Sequence, residues 1–159
     1  WVVPRALDVM HVTDQWSLLS TGHVAVIGED FHQQAQAYPS ILTVLMDRVV
    51  ARARWLGFQV ALSQLTRIDH RLLLTFRYMA ERWGVEQQQG VRIPIRLSHR
   101  SIAALIGARR PKVSAEITNL TEQGLIEQAQ DGSWTFFAAD IDPMAVLAGI
   151  DDYSGPDAD

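Results

Sequence analysis

The 159-residue sequence contains no cysteine. Disulfides are therefore excluded, and so are thiolate-held zinc sites and iron–sulfur clusters. No apolar run approaches the roughly 18 residues a membrane helix needs, and the opening residues lack the basic-then-apolar order of a signal peptide. A soluble, cytoplasmic protein with no membrane partner is expected. Gly-rich phosphate loops and nucleophile motifs are missing too, and His11, His23, His32, His70 and His99 show no metal-ligand spacing. The sequence thus points to neither an enzyme nor a metal site. A hydrophobic content of 48% is enough to build a core, in one domain or two small ones.

Charge is missing by sign rather than in total. Between residues 87 and 115 there is no Asp or Glu, yet Arg92, Arg96, Arg100, Arg109, Arg110 and Lys112 lie there, with His99 among them. Conversely, no Lys or Arg follows Lys112, where Glu116, Glu122, Glu127 and Asp131 precede six aspartates from Asp140 to Asp159. The net charge of -4 therefore conceals a basic segment beside an acidic tail, and the distribution decides more than the sum. A local basic field suits phosphate, because neutralising phosphates releases condensed counterions. A solvated face on a unit used only for packing is the ordinary alternative.

The basic segment overlaps a helical pattern at residues 97–126. Ile102, Ala103, Leu105 and Ile106 fall on one face of a short helix, and Val113, Ile117 and Leu120 repeat the spacing in a second. Gly107 falls where a helix ends in a left-handed residue, and Pro111 fits the first turn of the next helix. Two short helices joined by a Gly-containing turn form a helix-turn-helix. After it, residues 125–129 and 134–137 flank Asp131-Gly132, a hairpin signal that supplies a wing. The wing carries Glu127 and Asp131 but no cation, leaving backbone amides or Ser133 for any phosphate contact. Trp134, Phe136 and Phe137 read as core rather than as stacking platforms.

These features resemble the winged helix-turn-helix of the cyclic-AMP receptor and fumarate/nitrate regulator (Crp/Fnr) family. The matching features are a short proline-containing strand at 91–97, Ser98 as first-helix cap, Ile102, Gly107, Arg110, Val113, Leu120 and the closing Gly124-Leu125-Ile126. The similarity extends over roughly residues 16–137. It implies that the helix from about Arg110 to Gln123 enters the major groove of double-stranded DNA. By position Arg110 matches the family's base-reading arginine, able to bind guanine O6 and N7 together. The next base-reading positions hold Pro111, without a donor or acceptor, and Ala115, which can only touch a thymine methyl, so the family's consensus operator is not implied. Arg109 and Lys112 match phosphate-facing or near-groove positions. Ser98, His99 and Arg100 open the first helix, where amides and side chains hold phosphates. Ser114 and Thr118 are expected to face outward as secondary contacts.

The preceding chain fits the same resemblance. Residues 16–19 and 23–27 read as strands around a Gly22 turn, with a short helix at 30–37 capped by Asp30. Pro39 then starts a proline-free helix over 40–65, on the order of 39 Å long at 1.5 Å per residue. Leu42, Leu45, Val49, Leu56 and Val60 form a narrow seam that suits either pairing with a second copy or packing within the chain. The resemblance makes this the dimerisation helix of a homodimer. Residues 65–69 then become the hinge, with Asp69 capping the next helix to about Trp83, and 85–90 a loop.

The fold expected is mainly α with a small β part: remnant β-roll strands, a long dimerisation helix, then a winged helix-turn-helix domain. The corresponding ranges are 1–37, 38–68 and 69–139, followed by a short helix and an acidic, disordered tail over 140–159. The family's phosphate-binding cassette has no match in the first thirty residues. The expectation is therefore a C-terminal fragment or a protein with a reduced sensor, with no cofactor in this segment and no cyclic-nucleotide binding. RNA polymerase is a further partner that the resemblance implies. Against DNA binding stands a second reading, a helix-turn-helix dimer that works only through protein contacts. Pro111, Ala115 and the acidic wing favour it, and the basic field opposes it.

Overall fold

The computed structural model describes residue 23, residues 30–138 and residues 141–147. The expected strand at 16–19, all but the first residue of that at 23–27, and the acidic tail beyond 147 lie outside the described residues. The chain divides into two compact units, Trp1–Phe58 and Gln59–Asp159.

In the first unit, α1 (Asp30–Ala35) is followed by a tight turn in which the Tyr38 amide donates to the Ala35 carbonyl at 2.9 Å. Helix α2 (Pro39–Gln64) begins at the proline, whose missing amide proton costs nothing in a first turn. Within this unit the Trp55 and Phe58 rings lie 5.6 Å apart between centroids.

The second unit contains the last turn of α2, then α3 (Ile68–Trp83), a small sheet, α4 (His99–Ile106), α5 (Arg110–Glu122) and the short α6 (Pro143–Leu147). Asp69 does not cap α3 as the sequence suggests. Arg67 holds the cap position, and Asp69 sits inside the first turn, accepting from Arg67 Nε at 3.2 Å. A carboxylate there still opposes the helix dipole favourably. Residues 65–67 lie between α2 and α3. Arg71 spans that break, donating from Nε to the Leu65 carbonyl at 2.7 Å and from Nη1 to the Ile106 carbonyl, at the end of α4, at 3.3 Å.

The sheet has four antiparallel strands in the order β1-β2-β4-β3: β1 (Val85–Glu86), β2 (Val91–Ile93), β3 (Ile126–Gln128) and β4 (Trp134–Phe136). Two expectations change here. The polar stretch at 85–90 is not all loop, because Val85 and Glu86 pair with Arg92 and Val91 around a turn at Gly90. Gly90 has φ of 74°, and a Cβ there would stand 2.7 Å from the Phe136 carbonyl oxygen. The strand expected over 91–97 stops at Ile93, because Pro94 has no amide to donate to the ladder. The Asp131-Gly132 hairpin forms as expected, with Gly132 at φ of 83°.

The core joins α3, α4, α5 and the sheet. Leu72, Phe76, Met79, Ile93, Ile102, Val113, Ile117, Leu120, Ile126 and Trp134 belong to one buried cluster. Trp134 lies at its junctions. Its indole Nε1 donates to the Leu97 carbonyl at 3.0 Å, and its ring meets Phe76 of α3 at 5.1 Å and His99 of α4 at 6.0 Å. Phe136 is buried with it, while Phe137 is only half-buried.

The helix-turn-helix forms from the local signals the sequence carries. Ser98 caps α4, its hydroxyl accepting from the Ser101 amide at 3.1 Å. Gly107 ends α4 in the left-handed region at φ of 65°. Pro111 occupies the first turn of α5, whose cap residue, Arg109, makes no side-chain capping bond.

Two stability outcomes follow from these contacts. Replacing Trp134 by Ala should cost about 3–5 kcal/mol in urea unfolding of the chain, since it opens a cavity and leaves the Leu97 carbonyl only the longer bond from Gln128 Nε2, at 3.4 Å. Ser98→Ala should cost about 1 kcal/mol through the lost cap. An unchanged unfolding midpoint in either variant would contradict the assigned role.

Candidate nucleic-acid interface

Which cations are available to an anion is decided by pairing as well as by position. Arg96, Arg100, Arg109, Arg110 and Lys112 are exposed, and none has an ion pair among the described residues. They occupy the segment before α4, the first turn of α4, and the start of α5. Arg92 leaves this set. Its Nη2 donates to Asp131 Oδ2 of the wing at 2.7 Å and its Nε to Ser133 Oγ at 3.3 Å.

Helix α5 offers its N-terminal end to solvent. Its first turn has no acidic residue, and no side chain occupies the amides as a cap. The positive end of the helix dipole therefore coincides with Arg109, Arg110 and Lys112. Val113, Ile117 and Leu120 bury the opposite side. Pro111, Ala115, Thr118 and Glu122 are exposed at helical spacing along the outer side. That stripe has few donors: Thr118 Oγ1 already donates to the Ser114 carbonyl at 3.1 Å. The sequence reading does not single out Glu122 for this face, or Glu116, whose Oε2 accepts from Asn119 Nδ2 at 3.2 Å.

Among the residues expected at the interface, Ser98, Arg100, Arg109, Arg110, Lys112, Ala115 and Thr118 are exposed. Ser114 departs from the outward position expected for it. It is half-buried, and its hydroxyl lies 3.0 Å from His99 Nδ1. His99, half-buried against Trp134, thereby ties the first turn of α4 to α5. Both side chains serve the angle between the two helices. Ser133 also departs from its suggested role, because it is buried and its amide and hydroxyl both donate to Asp131 Oδ1. Arg96 belongs to the basic field, yet the sequence alone does not mark it as a contact. Its Cβ and Cγ lie 3.7 Å from where a side chain at Gly132 would begin, beside the wing turn.

On α2 the exposed apolar side chains include Leu42, Met46, Val49, Leu56 and Val60. The expected seam contains Leu45 in place of Met46. Leu45 is half-buried, whereas Met46 is 63% exposed. Among the described residues no group of His, Asp or Glu is arranged to hold a metal ion, and no helix is long and apolar enough to cross a membrane.

The comparisons with known proteins agree with this geometry. Residues 66–137 match the model of the Crp-like helix-turn-helix domain. No curated protein matches the chain. Among solved structures, a variant of CooA from Carboxydothermus hydrogenoformans is 17% identical with a TM-score of 0.57, covering 76% of this chain and 54% of that one. A CRP-family transcriptional regulator from Thermus thermophilus is 20% identical with a TM-score of 0.51, covering 69% of this chain and 53% of that one. The chain thus spans about half the length of these structures, and at such identities the likeness establishes the fold. Residues 66–137 thus carry a Crp-like helix-turn-helix domain, on a fold shared with these structures.

Proposed function

We propose that the chain is a sequence-specific DNA-binding transcription regulator that acts as a homodimer and presents α5 to the major groove. The observation that carries this reading is the row of exposed, unpaired cations from Arg96 to Lys112, in a stretch without a single acid. Arg110 reads a base edge, with guanine as its natural partner. Arg109, Lys112 and the start of α4 at Ser98 and Arg100 hold phosphates. With Pro111, Ala115 and Thr118 on the outer stripe, few donors remain to α5, so the operator is read through few contacts. His99 and Ser114 contribute by fixing the helix-turn-helix angle.

Pairing rests on α2. Leu42, Val49 and Leu56 repeat every seven residues, and Met46, Ala53 and Val60 follow each four residues later, an alternation that fits a two-stranded coiled coil. All six positions are exposed in the single chain. Two recognition helices related by a dyad then meet half-sites about one helical turn apart, roughly 34 Å. Residues 38–68 serve as dimerisation helix and hinge in this reading, 69–139 as the DNA-binding domain, and RNA polymerase is the partner through which regulation acts.

The test is selection from a pool of random duplex DNA at two salt concentrations, followed by sequencing. Salt-sensitive enrichment of a palindromic site is expected. Failure to retain DNA at low salt, by a folded dimer, would favour the protein-interaction module to which Pro111, Ala115 and the acidic wing lend support. Arg110→Ala should lose about 1–3 kcal/mol on the selected site and relax its sequence, whereas Lys112→Ala should weaken all duplexes alike and flatten the salt dependence. Equal losses of Arg110→Ala on selected and random DNA would sink its base-reading role. Leu56→Asp should turn a sedimenting dimer into a monomer; an unchanged dimer would remove α2 from the interface.

A further inference from the structure

The wing contains an ion pair whose two halves have separable jobs. Asp131 Oδ1 builds the turn, accepting from the Ser133 amide at 2.9 Å and from the Ser133 hydroxyl at 2.5 Å. Oδ2 instead accepts from Arg92 Nη2 at 2.7 Å. The Ser133 hydroxyl and amide, helped by the Arg92 charge, hold the Asp131 carboxyl down at about 2, so it is ionised at any pH at which DNA binds. The pair is not buried, with side chains 42% and 43% exposed.

The location of the pair gives it a consequence. Trp134 anchors the wing to the Leu97 carbonyl, immediately before the cap of α4, and Gly132 lies against the stem of Arg96. The wing tip therefore stands beside the end of α4 that carries Ser98 and Arg100. A duplex bears a charge about every 1.7 Å along its axis, so a backbone held at the start of α4 continues past the wing tip. There it meets Arg96, which is unpaired among the described residues, and Arg92, which is neutralised by Asp131.

We propose that Asp131 is a specificity-determining residue that holds the wing back from DNA, by occupying Arg92 and keeping a negative charge beside the phosphates. This rests on the DNA-binding reading above. With the wing silent, affinity for arbitrary sequence stays low, and a larger share of binding falls to α5 and its base contacts. Releasing Arg92 adds a phosphate contact that is blind to sequence.

Asp131→Asn isolates the effect, because its amide oxygen still serves Ser133 while the charge facing Arg92 is removed. Asp131→Ser, which also supports turns of this kind, is the second variant. Binding of the full chain to random-sequence duplex is measured across a salt series, with folding followed by circular dichroism. Both variants should bind random duplex about tenfold more tightly at low salt, with a log–log salt slope steeper by about one, the increment for one added phosphate contact. The ratio of selected-site to random affinity should fall. Adding Arg92→Gln to Asp131→Asn should remove most of the gain, and Glu127→Gln, which deletes a wing charge without an arginine partner, should leave the slope unchanged. If the wild type binds DNA and Asp131→Asn matches it in affinity and slope, the proposal is overturned while the regulator reading stands. A gain from Glu127→Gln equal to that from Asp131→Asn would overturn it as well, since bulk charge would then suffice. If neither the wild type nor any variant binds duplex at the lowest salt, the DNA-binding reading itself fails and this proposal with it.

Discussion

The indole of Trp134 is the contact on which the helix-turn-helix unit depends. It belongs to a wing strand, yet it donates to the Leu97 carbonyl, packs on Phe76 of α3 and backs His99 of α4. A single side chain therefore sets the wing against the first helix of the helix-turn-helix and both against the helix that precedes them. Because the donor is a buried N–H aimed at a buried carbonyl, the arrangement has little freedom to slide. Any displacement would leave the indole N–H unsatisfied in an apolar core and the Leu97 carbonyl with Gln128 Nε2 alone.

From that anchor the remaining geometry is short-range. His99, held by Trp134, reaches Ser114 of α5, and the two together limit how far α4 and α5 can open. Val113, Ile117 and Leu120 then fix the rotation of α5, leaving Arg110 and Lys112 at its exposed start. Charge follows the same logic. Between residues 92 and 112 the cations without an ion pair among the described residues lie at or just before two helix N-termini, while Arg92, near them in sequence, is withdrawn by a carboxylate on the wing.

The features legible in the sequence are the local ones. Ser98, Gly107 and Pro111 each encode a helix boundary through the conformation or donor that the residue itself supplies, and each boundary stands where that chemistry puts it. Asp131-Gly132 marks the wing turn for the same reason. What stays hidden depends on partners distant along the chain. Neither the Arg92–Asp131 pair nor the His99–Ser114 bond has a spacing that announces it, so Arg92 reads as free and Ser114 as outward. Asp69 is easily misplaced because an acid suits a cap and a first turn almost equally, and only the backbone decides between them. That Leu45 is half-buried and Met46 exposed on α2 has a similar origin, since three- and four-residue steps are both helical and periodicity tolerates either. Pro94 is visible throughout, and its missing amide is reason enough to end the strand earlier.

Arg71 places one guanidinium on the carbonyls that close two different helices, Leu65 beyond α2 and Ile106 at the end of α4. A cation is favoured at the C-terminal end of a helix, and here a single charge serves two such ends. Fraying is then no longer a private property of each helix. Opening at residue 65 takes from Ile106 the donor that steadies it, and the reverse holds as well, so the two ends behave as one cooperative unit in local unfolding. The start of the turn between α4 and α5 and the break after α2, separated by some forty residues of chain, share a common threshold for coming apart.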